Sequence, residues 1–375
     1  MTDSPLVSII INNYNYGRFL AAAIDSALAQ TYRRAEVIVV DDGSTDQSRD
    51  VIAGYAGKVL PILKGNGGQA SAFNAGFAAS RGEVIIFLDS DDVLGPTAAE
   101  KAVEAFDDPG VVKVHWNLRV MDEGGVPTGK LHLSEELPEG DLREFVARKG
   151  PWNYVTPPTS GNAWARRALE EILPVPEQEY RIGADCYLFT LAPVLGKMRR
   201  VAEPQGWYRV HGKNHYAGSG FAEKLRCDTR LYAQNCAALS TRLAALGVEA
   251  DVRAWNRGAW VEELNRAVSD IEQCVAPGWA FILVDEDQWG VGGDLAGRAV
   301  FPFMEKDGIY WGPPADDATA IHELERLRGR GAAAIVFARP AFWWLEHYRG
   351  WRDYLRENFP CRLENERLVV FDLRG

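Results

Sequence analysis

The first 94 residues alternate short, uniformly apolar runs with longer stretches in which apolar residues recur at helical spacing. The apolar runs predict strands, and the stretches between them predict helices. The predicted strands are Val7–Ile11, Val37–Val40, Val59–Leu63 and Val84–Leu88, and the predicted helices are Arg18–Gln30, Asp46–Ala56 and Gln69–Ser80. Strands that are apolar at nearly every position are buried on both faces. The pattern therefore predicts an α/β fold with a mostly parallel sheet and helices on both of its faces.

The order of elements becomes less regular after Pro96 and changes character again after Gly220. Strands are predicted at Val111–Trp116 and Trp207–Val210, and the stretch Pro151–Ser160, rich in proline and aromatic residues, is expected to be a loop. We expect a first domain at residues 1–220, a helical hairpin or linker at 221–274 and a small second α/β domain at 275–375. The amphipathic segments of 221–274 could also form a homodimer contact.

Acidic residues follow two of the predicted strands at the point where each strand ends. Asp41 and Asp42 come after one apolar run, and Asp89, Asp91 and Asp92 come after another. Ligands of parallel sheets bind beyond the carboxyl ends of the strands, so these carboxylates are expected to meet at one site. Crowded carboxylates repel each other unless a cation lies between them. Oxygen ligands of this kind suit Mg²⁺ or Mn²⁺, which usually bind together with phosphate groups of a substrate.

Four short motifs appear in a fixed order across the first domain. They are Ser8–Asn15 (Ser-Ile-Ile-Ile-Asn-Asn-Tyr-Asn), Val39–Asp46 (Val-Val-Asp-Asp-Gly-Ser-Thr-Asp), Asn66–Gln69 (Asn-Gly-Gly-Gln) with Asn74–Gly76 (Asn-Ala-Gly), and Asp89–Asp92 (Asp-Ser-Asp-Asp). Each motif alone is weak, but together and in this order they resemble the family 2 glycosyltransferases of the GT-A fold. The resemblance covers more than half of the chain. It implies an enzyme that transfers a sugar from a nucleoside diphosphate sugar.

The resemblance implies a nucleotide pocket at the ends of the first two strands. Asn12 and Tyr14 would line the base pocket, and Asp42, supported by Asp41, would accept a hydrogen bond from a base N–H such as that of uracil. The alternative for Asp41 and Asp42 is a plain strand-to-helix turn. The segment that holds Asn66, Gln69 and Asn74 would close over the ribose and the diphosphate.

The resemblance also assigns the Asp-Ser-Asp motif and a downstream segment to the donor and its metal. Asp91 would coordinate the cation, and Asp89 and Ser90 would contact the donor. The alternative for these acidic residues is an N-terminal helix cap. Gly161 and Asn162 would lie beside the donor sugar, where a glycine allows the backbone to approach a ligand closely.

Two further residues complete the implied site. By its place in the order of motifs, Asp185 matches the catalytic base, although an aspartate at this position is also a common helix cap. His211, at the end of the last strand of the domain, would complete the metal shell, although a lone histidine is more often a hydrogen-bonded structural residue. One base and one metal imply a single displacement with inversion at the anomeric carbon, and no second carboxylate suited to a retaining mechanism is evident.

Composition restricts the class of partner. The chain of 375 residues carries a net charge of −11 and no basic stripe, which argues against nucleic acid as the main partner. Its five cysteines are scattered and show no metal-ligand spacing. No apolar run reaches the roughly 20 residues that a membrane span needs, and the first residues do not resemble a secretory signal. We expect a cytoplasmic enzyme, with peripheral contact at the inner face of the membrane if the acceptor is lipid-linked.

Two other functions remain open at this stage. A sugar nucleotidyltransferase shares a related α/β core, but it would need a glycine-rich basic loop after the first strand, where this chain has Asn12–Asn15. A catalytically silent nucleotide-sugar-binding or scaffold protein would bind donor without turnover and would tolerate the loss of Asp185. Bacterial envelope or polysaccharide synthesis, with a glycan or lipid-linked glycan hydroxyl as acceptor, is the setting that the resemblance implies. The aromatic residues of 310–348 either fill a core or hold a sugar.

Overall fold

The computed structural model describes residues 4–212, 214 and 220–374. These residues divide into two compact units, the first within Met1–Asn214 and Leu231–Trp255 and the second within His215–Arg230 and Asn256–Gly375. In the part of the chain that is described, no helix has both the length and the apolar character of a membrane span.

Strands and helices alternate in the first part of the chain. The strands are β1 (Val7–Asn13), β2 (Ala35–Asp42), β3 (Leu60–Lys64), β4 (Val84–Asp89), β5 (Val93–Leu94), β6 (Val111–Trp116), β7 (Arg119–Met121), β8 (Pro127–Leu131), β9 (Asn162–Ala165), β10 (Lys197–Val201) and β11 (Gly206–Arg209). The helices are α1 (Gly17–Leu28), α2 (Ser48–Ala53), α3 (Gln69–Ala79), α4 (Ala98–Ala105), α5 (Arg143–Lys149), α6 (Arg166–Leu169) and α7 (Ala184–Leu195).

The main sheet has the strand order β10-β6-β9-β4-β1-β2-β3. Its strands pair in parallel except at β9, which runs antiparallel to both of its neighbours, β4 and β6. Strands β1 and β4 are buried at nearly every position, as their apolar sequences predict. The mixed α/β fold with a mostly parallel sheet, predicted from the sequence, is confirmed.

The register of the central strands brings the polar strand ends together. Strand β1 lies between β2 and β4, so that Asn12 is opposite Asp89 on one side and Asn13 is opposite Asp41 on the other. A second sheet, of order β5-β11-β7-β8, pairs Trp207 of β11 with Val93 of β5. The residues that follow β11 therefore lie beside the turn that follows β4.

Helix α3 packs on the main sheet through Gly76. A Cβ atom at this position would lie 2.3 Å from Ile10 Cγ2 and 3.2 Å from Val40 Cγ2. We expect Gly76→Ala to lower the free energy of unfolding by about 1–3 kcal/mol, because the added methyl group overpacks the core. Urea denaturation measures this change. The matched control is Gly258→Ala, where the structure describes no atom within 4 Å of the added methyl group. Equal effects of the two substitutions would contradict the expected close contact.

The later part of the chain contains a helical segment and further α/β elements. The helices are α8 (Phe221–Ala245), α9 (Val252–Gly258), α10 (Trp260–Cys274), α11 (Asp317–Gly329), α12 (Phe342–His347) and α13 (Arg349–Asn358). The strands are β12 (Ala280–Val284), β13 (Asp294–Leu295), β14 (Arg298–Pro302), β15 (Glu305–Lys306), β16 (Ile309–Tyr310), β17 (Ala332–Ala338), β18 (Cys361–Glu364) and β19 (Leu368–Asp372). A sheet of order β13-β14-β12-β17-β19-β18 organises this region, with β12 parallel to both β14 and β17.

The aromatic residues of the later region do not all share one environment. Trp344 and Tyr348 are buried in the core of the second unit. Trp311 and Trp343 are exposed, at 67% and 43% of their surfaces. Core packing therefore explains the first two residues but not the second two.

Candidate functional site

The carboxylates that follow β4 are held in a tight turn. Asp92 N donates to Asp89 O at 3.0 Å, which reverses the chain between β4 and β5. Asn12, at the end of β1, donates from Nδ2 to Asp89 Oδ1 at 2.7 Å. Because the register places Asn12 opposite Asp89, the sheet itself positions this contact. The polar ends of β1 and β4 are thus in direct contact.

Asp91 and His211 form the next part of the site. His211 Nε2 lies 3.0 Å from Asp91 Oδ2. Its backbone N–H donates to Asn214 Oδ1, and Asn214 Nδ2 donates to Arg209 O at 2.9 Å, so Asn214 holds the backbone of His211 after β11. The imidazole ring packs on Phe19, with ring centroids 4.8 Å apart.

Asp92 is buried behind these two residues. Its carboxylate accepts from Ser160 Oγ at 2.7 Å and from Arg209 N at 3.0 Å. The Arg209 side chain donates from Nε to Asp91 O at 2.8 Å. Asp92 and Arg209 therefore brace the turn that carries Asp91, and their own side chains are occupied by these bonds.

The crowding of carboxylates changes their protonation. Burial and the neighbouring charge of Asp91 raise the pKa of Asp89 to about 7. Burial, with the charges of Asp91 and Asp89, raises the pKa of Asp92 well above its usual range. A bound cation would remove this repulsion, since an opposite charge favours the ionised form of a carboxylate. The electrostatics of the site therefore fit a cation.

The geometry also fits a cation that has few protein ligands and is otherwise coordinated by water and substrate. Among the described residues, no group of three or more His, Cys, Asp or Glu side chains is arranged as a complete metal site. Asp91 and His211 supply a carboxylate oxygen and an imidazole nitrogen side by side. Mg²⁺ commonly binds proteins through one or two carboxylates and completes its shell with water and substrate phosphates. Asp91 and His211 therefore fit Mg²⁺ or Mn²⁺ as a pair of protein ligands, with water and substrate phosphates as the other ligands.

Asp185 lies in the first turn of α7, after Gly183, whose φ is +81°. Thr159 Oγ1 donates to Asp185 Oδ2 at 3.1 Å. The Thr159 side chain is also hydrogen-bonded to Asp89. Burial raises the pKa of Asp185, and the Thr159 hydrogen bond opposes that rise. A carboxylate with a raised pKa next to the acidic cluster is suited to accept a proton near neutral pH.

Gln69 connects α3 to the helix that carries Asp185. Its Oε1 accepts from Gly183 N and Ala184 N, both at 3.0 Å, and its backbone N–H donates to Arg181 O. These bonds satisfy N–H groups at the start of α7 that have no partner within the helix. The Gln69 side chain therefore holds the start of α7, the turn that carries Asp185, and its contact with the donor stays a prediction.

Asp42 is buried and holds the loop that follows β3. Its carboxylate accepts from Gly67 N at 2.9 Å, from Gly68 N at 2.6 Å and from Lys64 Nζ at 2.5 Å. Asn66 Nδ2 donates to Asp42 O, and Asn66 Oδ1 accepts from the Arg181 side chain. A base N–H would have to share this carboxylate with Lys64.

Asp41 and Tyr14 lie in different environments. Asp41 is fully buried and accepts from Asn13 Nδ2 at 3.1 Å and from Arg49 Nε at 2.9 Å. Tyr14 exposes 47% of its surface, so its ring is available to a ligand. The carboxylate of Asp41 is thus bound by side chains inside the fold, while Tyr14 has the exposure that stacking on a base requires.

The remaining predicted residues are mostly engaged within the protein. Asn74 bonds to Val175 through both its Nδ2 and its Oδ1, which fixes the segment before Asp185. Asn162 is fully buried and donates to Pro158 O at 2.7 Å. Ser90 is also buried. A Cβ atom at Gly161 would lie 2.9 Å from Trp116 O, so this glycine permits close packing of the segment before β9.

Three side chains in or behind this site were not identified from the sequence. Thr159 contacts Asp185 and Asp89, Arg209 contacts Asp91, and Lys113 lies buried in β6. A lysine within the otherwise apolar Val-Val-Lys-Val stretch is a signal that sequence reasoning could have used, because charged residues are rarely fully buried without a partner.

Comparison with known proteins gives one family and several relatives. The model for Glycosyl transferase family 2 matches residues 8–173. An uncharacterized glycosyltransferase of Nostoc sp. is 40% identical over 221 residues, covering 58% of this chain and 68% of that relative. An uncharacterized glycosyltransferase of Rickettsia prowazekii is 45% identical over 100 residues, covering 27% of this chain and 31% of that relative.

The chain thus spans about two thirds of the Nostoc relative and about a third of the Rickettsia relative. Among solved structures, TarS of S. aureus in complex with UDP-GlcNAc has a TM-score of 0.47 and 17% identity, covering 71% of this chain and 79% of that chain.

Proposed function

The chain belongs to glycosyl transferase family 2, and on that premise we propose that it transfers a sugar from a nucleoside diphosphate sugar to an acceptor hydroxyl, with metal assistance and inversion. The observations that carry the proposal concern three residues, Asp91, His211 and Asp185: His211 Nε2 lies 3.0 Å from Asp91 Oδ2, and Thr159 is hydrogen-bonded to both Asp185 and Asp89. Two of these residues offer ligands to a cation, and the third offers a proton acceptor.

The proposed donor pocket lies between the ends of β1 and β2. The exposed ring of Tyr14 would stack on the base. Asp42 would accept a hydrogen bond from a base N–H, and its carboxylate would then be shared between the base and Lys64. Uracil carries such a donor at N3, so UDP is the nucleotide that we propose. The backbone N–H groups of Gly67 and Gly68, just before α3, donate to the Asp42 carboxylate and so hold it in place for the base.

The proposed cation lies at Asp91 and His211. When bound there, Mg²⁺ or Mn²⁺ would supply Lewis-acid stabilisation of charge on the leaving diphosphate. The residues around it act by holding this pair in place. Asn214 fixes the backbone of His211, and Arg209 fixes the carbonyl group of Asp91.

Asp185 is the proposed base. Thr159 and the first turn of α7 orient its carboxylate. It would take the proton of the acceptor hydroxyl as that oxygen attacks the anomeric carbon from the face opposite the leaving group. Inversion follows from this single displacement, in which no covalent sugar–enzyme intermediate forms.

The test is nucleotide release from a panel of UDP-, GDP- and dTDP-sugars in Mn²⁺ without added acceptor, since water can replace the acceptor slowly. We expect release from one donor class, with UDP-sugars as the active class, and its loss when the metal is chelated. A panel of donors incubated without enzyme is the control. A protein that binds one donor in calorimetry but releases nothing, even with a mixture of glycan acceptors, would contradict the transferase proposal.

A further inference from the structure

The sheet of the second unit has a topological switch point. Strand β12 lies between β14 and β17 and is parallel to both. From β12 the chain continues through β13 to β14 on one side, whereas from β17 it continues to β18 and β19 on the other side. Ligands of open α/β sheets bind beyond the carboxyl ends of two neighbouring strands whose connections lead apart in this way. The topology therefore indicates a ligand site beyond the ends of β12 and β17.

The segments that follow these two strands meet through one carboxylate and two indole rings. Glu286 follows β12, and Trp343 and Trp344 lie in α12, which follows β17. Trp343 Nε1 donates to Glu286 Oε1 at 2.8 Å, and Trp344 Nε1 donates to the same oxygen at 2.7 Å. The other oxygen, Oε2, lies 3.4 Å from Gln288 Nε2, which is longer than an ordinary N–H···O hydrogen bond. The carboxylate is thus fixed through one oxygen, and its second oxygen can accept from a ligand.

The two tryptophans differ in exposure. Trp344 is fully buried and packs on Phe303, with ring centroids 6.2 Å apart, so it anchors the carboxylate to the core. Trp343 is exposed, yet its ring is held by the bond to Glu286 and by contact with Tyr348, at 6.4 Å between centroids. A ring that is already held loses little conformational entropy when a ligand binds. Trp343 therefore offers a preorganised apolar surface beside a preorganised carboxylate.

Charge and chemistry restrict the class of ligand. Asp285, Glu286 and Asp287 are consecutive acidic residues, so the loop after β12 disfavours phosphate groups and other anions. The indole offers an apolar face, and the carboxylate accepts hydrogen bonds but cannot donate them. A neutral sugar matches both, since its ring has an apolar C–H face and a rim of hydroxyl donors. A basic peptide would also suit the charge, but membership of a family of sugar transferases favours a glycan.

We propose that Trp343 and Glu286 form a binding site for a neutral glycan chain in the second unit, a function beyond the proposed sugar transfer. The Trp343 ring stacks on the C–H face of one sugar ring, and Glu286 Oε2 accepts a hydrogen bond from one of its hydroxyl groups. Binding at this site is non-covalent and needs neither a nucleotide nor a cation.

The test is an NMR-monitored titration of the full chain with neutral oligosaccharides of glucose, mannose and N-acetylglucosamine. We expect at least one of them to bind, and Trp343→Ala to weaken this binding by about 10-fold or more, because aromatic anchors dominate small contact surfaces. The matched control is Trp260→Ala, which removes another exposed tryptophan of the same unit. This control should bind the glycan as the wild type does.

A second variant, Glu286→Gln, tests the carboxylate. The amide oxygen of Gln can still accept from Trp343 and Trp344, but an NH₂ donor takes the place of the free acceptor oxygen. Loss of one hydrogen bond to the ligand should weaken glycan binding by about 5-fold. Urea denaturation shows whether each variant is folded, and Glu286→Gln tests the site even if Trp343→Ala does not fold.

The outcomes are separable from those of the transferase test. Binding of no neutral oligosaccharide, or equal binding by the wild type and both folded variants, would overturn the site. Binding of a hexalysine peptide without any glycan would overturn it in favour of a basic protein partner. Glycan affinity should be equal in Mn²⁺ and in EDTA, whereas the proposed donor site requires the metal. A failure of nucleotide release therefore leaves this site standing, and a failure of glycan binding leaves the proposed transfer standing.

Discussion

Replacement of Asp185 by Asn is expected to lower the rate of sugar transfer by about 10²–10⁴-fold, the range that general-base catalysis contributes. Asn keeps the size of the side chain and can still bond to Thr159, but it cannot accept the proton of the acceptor. Donor affinity should be unchanged, because the carboxylate acts on the acceptor. Single-turnover kinetics with saturating donor measure the rate, and calorimetry measures the affinity.

The matched control for this substitution is Asp107→Asn, which removes a carboxylate exposed on the surface of the same unit and paired with Arg199. Its transfer rate should equal that of the wild type. An Asp185→Asn enzyme that keeps full activity would place the proton acceptor elsewhere. A loss of donor binding in the same variant would indicate that Asp185 contacts the donor instead.

Replacement of Asp91 by Ala is expected to remove both the metal dependence of donor binding and most of the activity. A metal that stabilises a leaving diphosphate contributes several kcal/mol, so the transfer rate should fall by roughly 10³-fold or more. Since His211 would be the only remaining protein ligand of the proposed pair, excess Mn²⁺ should not restore activity. Titration of donor in Mn²⁺ and in EDTA measures the effect.

Asp91→Asn removes the charge of the side chain but keeps its size, so it tests the charge alone. Asp107→Ala is the control for the loss of a carboxylate on the surface. Both Asp91 variants should lose metal-dependent donor binding, while the control should keep it. If Asp91→Ala bound donor as tightly as the wild type in excess Mn²⁺, the assignment of Asp91 to the metal would be wrong.

The main sheet could be predicted because its central strands are apolar on both faces. Burial at every position of such a run leaves few alternatives to a parallel strand, and the acidic residues then fall at the strand ends. The short strand β9 was not predicted, because the four residues Asn162–Ala165 show no alternation of apolar and polar side chains. The strand is defined by its pairing with β4 and β6. Its position depends on tertiary contacts.

The roles of individual polar side chains were harder to predict than their proximity. The sequence indicates that Asp42 lies near the site, but not that the loop at Gly67 and Gly68 folds back to donate to it. Gln69 is similar, since its bonds to Gly183 and Ala184 join residues more than a hundred positions apart. Such contacts are set by how loops close in three dimensions, which the local pattern does not encode.

The central claim is that a nucleoside diphosphate binds together with a cation at Asp91. Its most direct test is a calorimetric titration of UDP, GDP and dTDP into the protein, in Mn²⁺ and again in EDTA. We expect one diphosphate, UDP, to bind at least about 10-fold more tightly with Mn²⁺ than with EDTA, and this difference to vanish in Asp91→Ala. Failure of every diphosphate to bind, or equal affinity in Mn²⁺ and EDTA, would contradict the account.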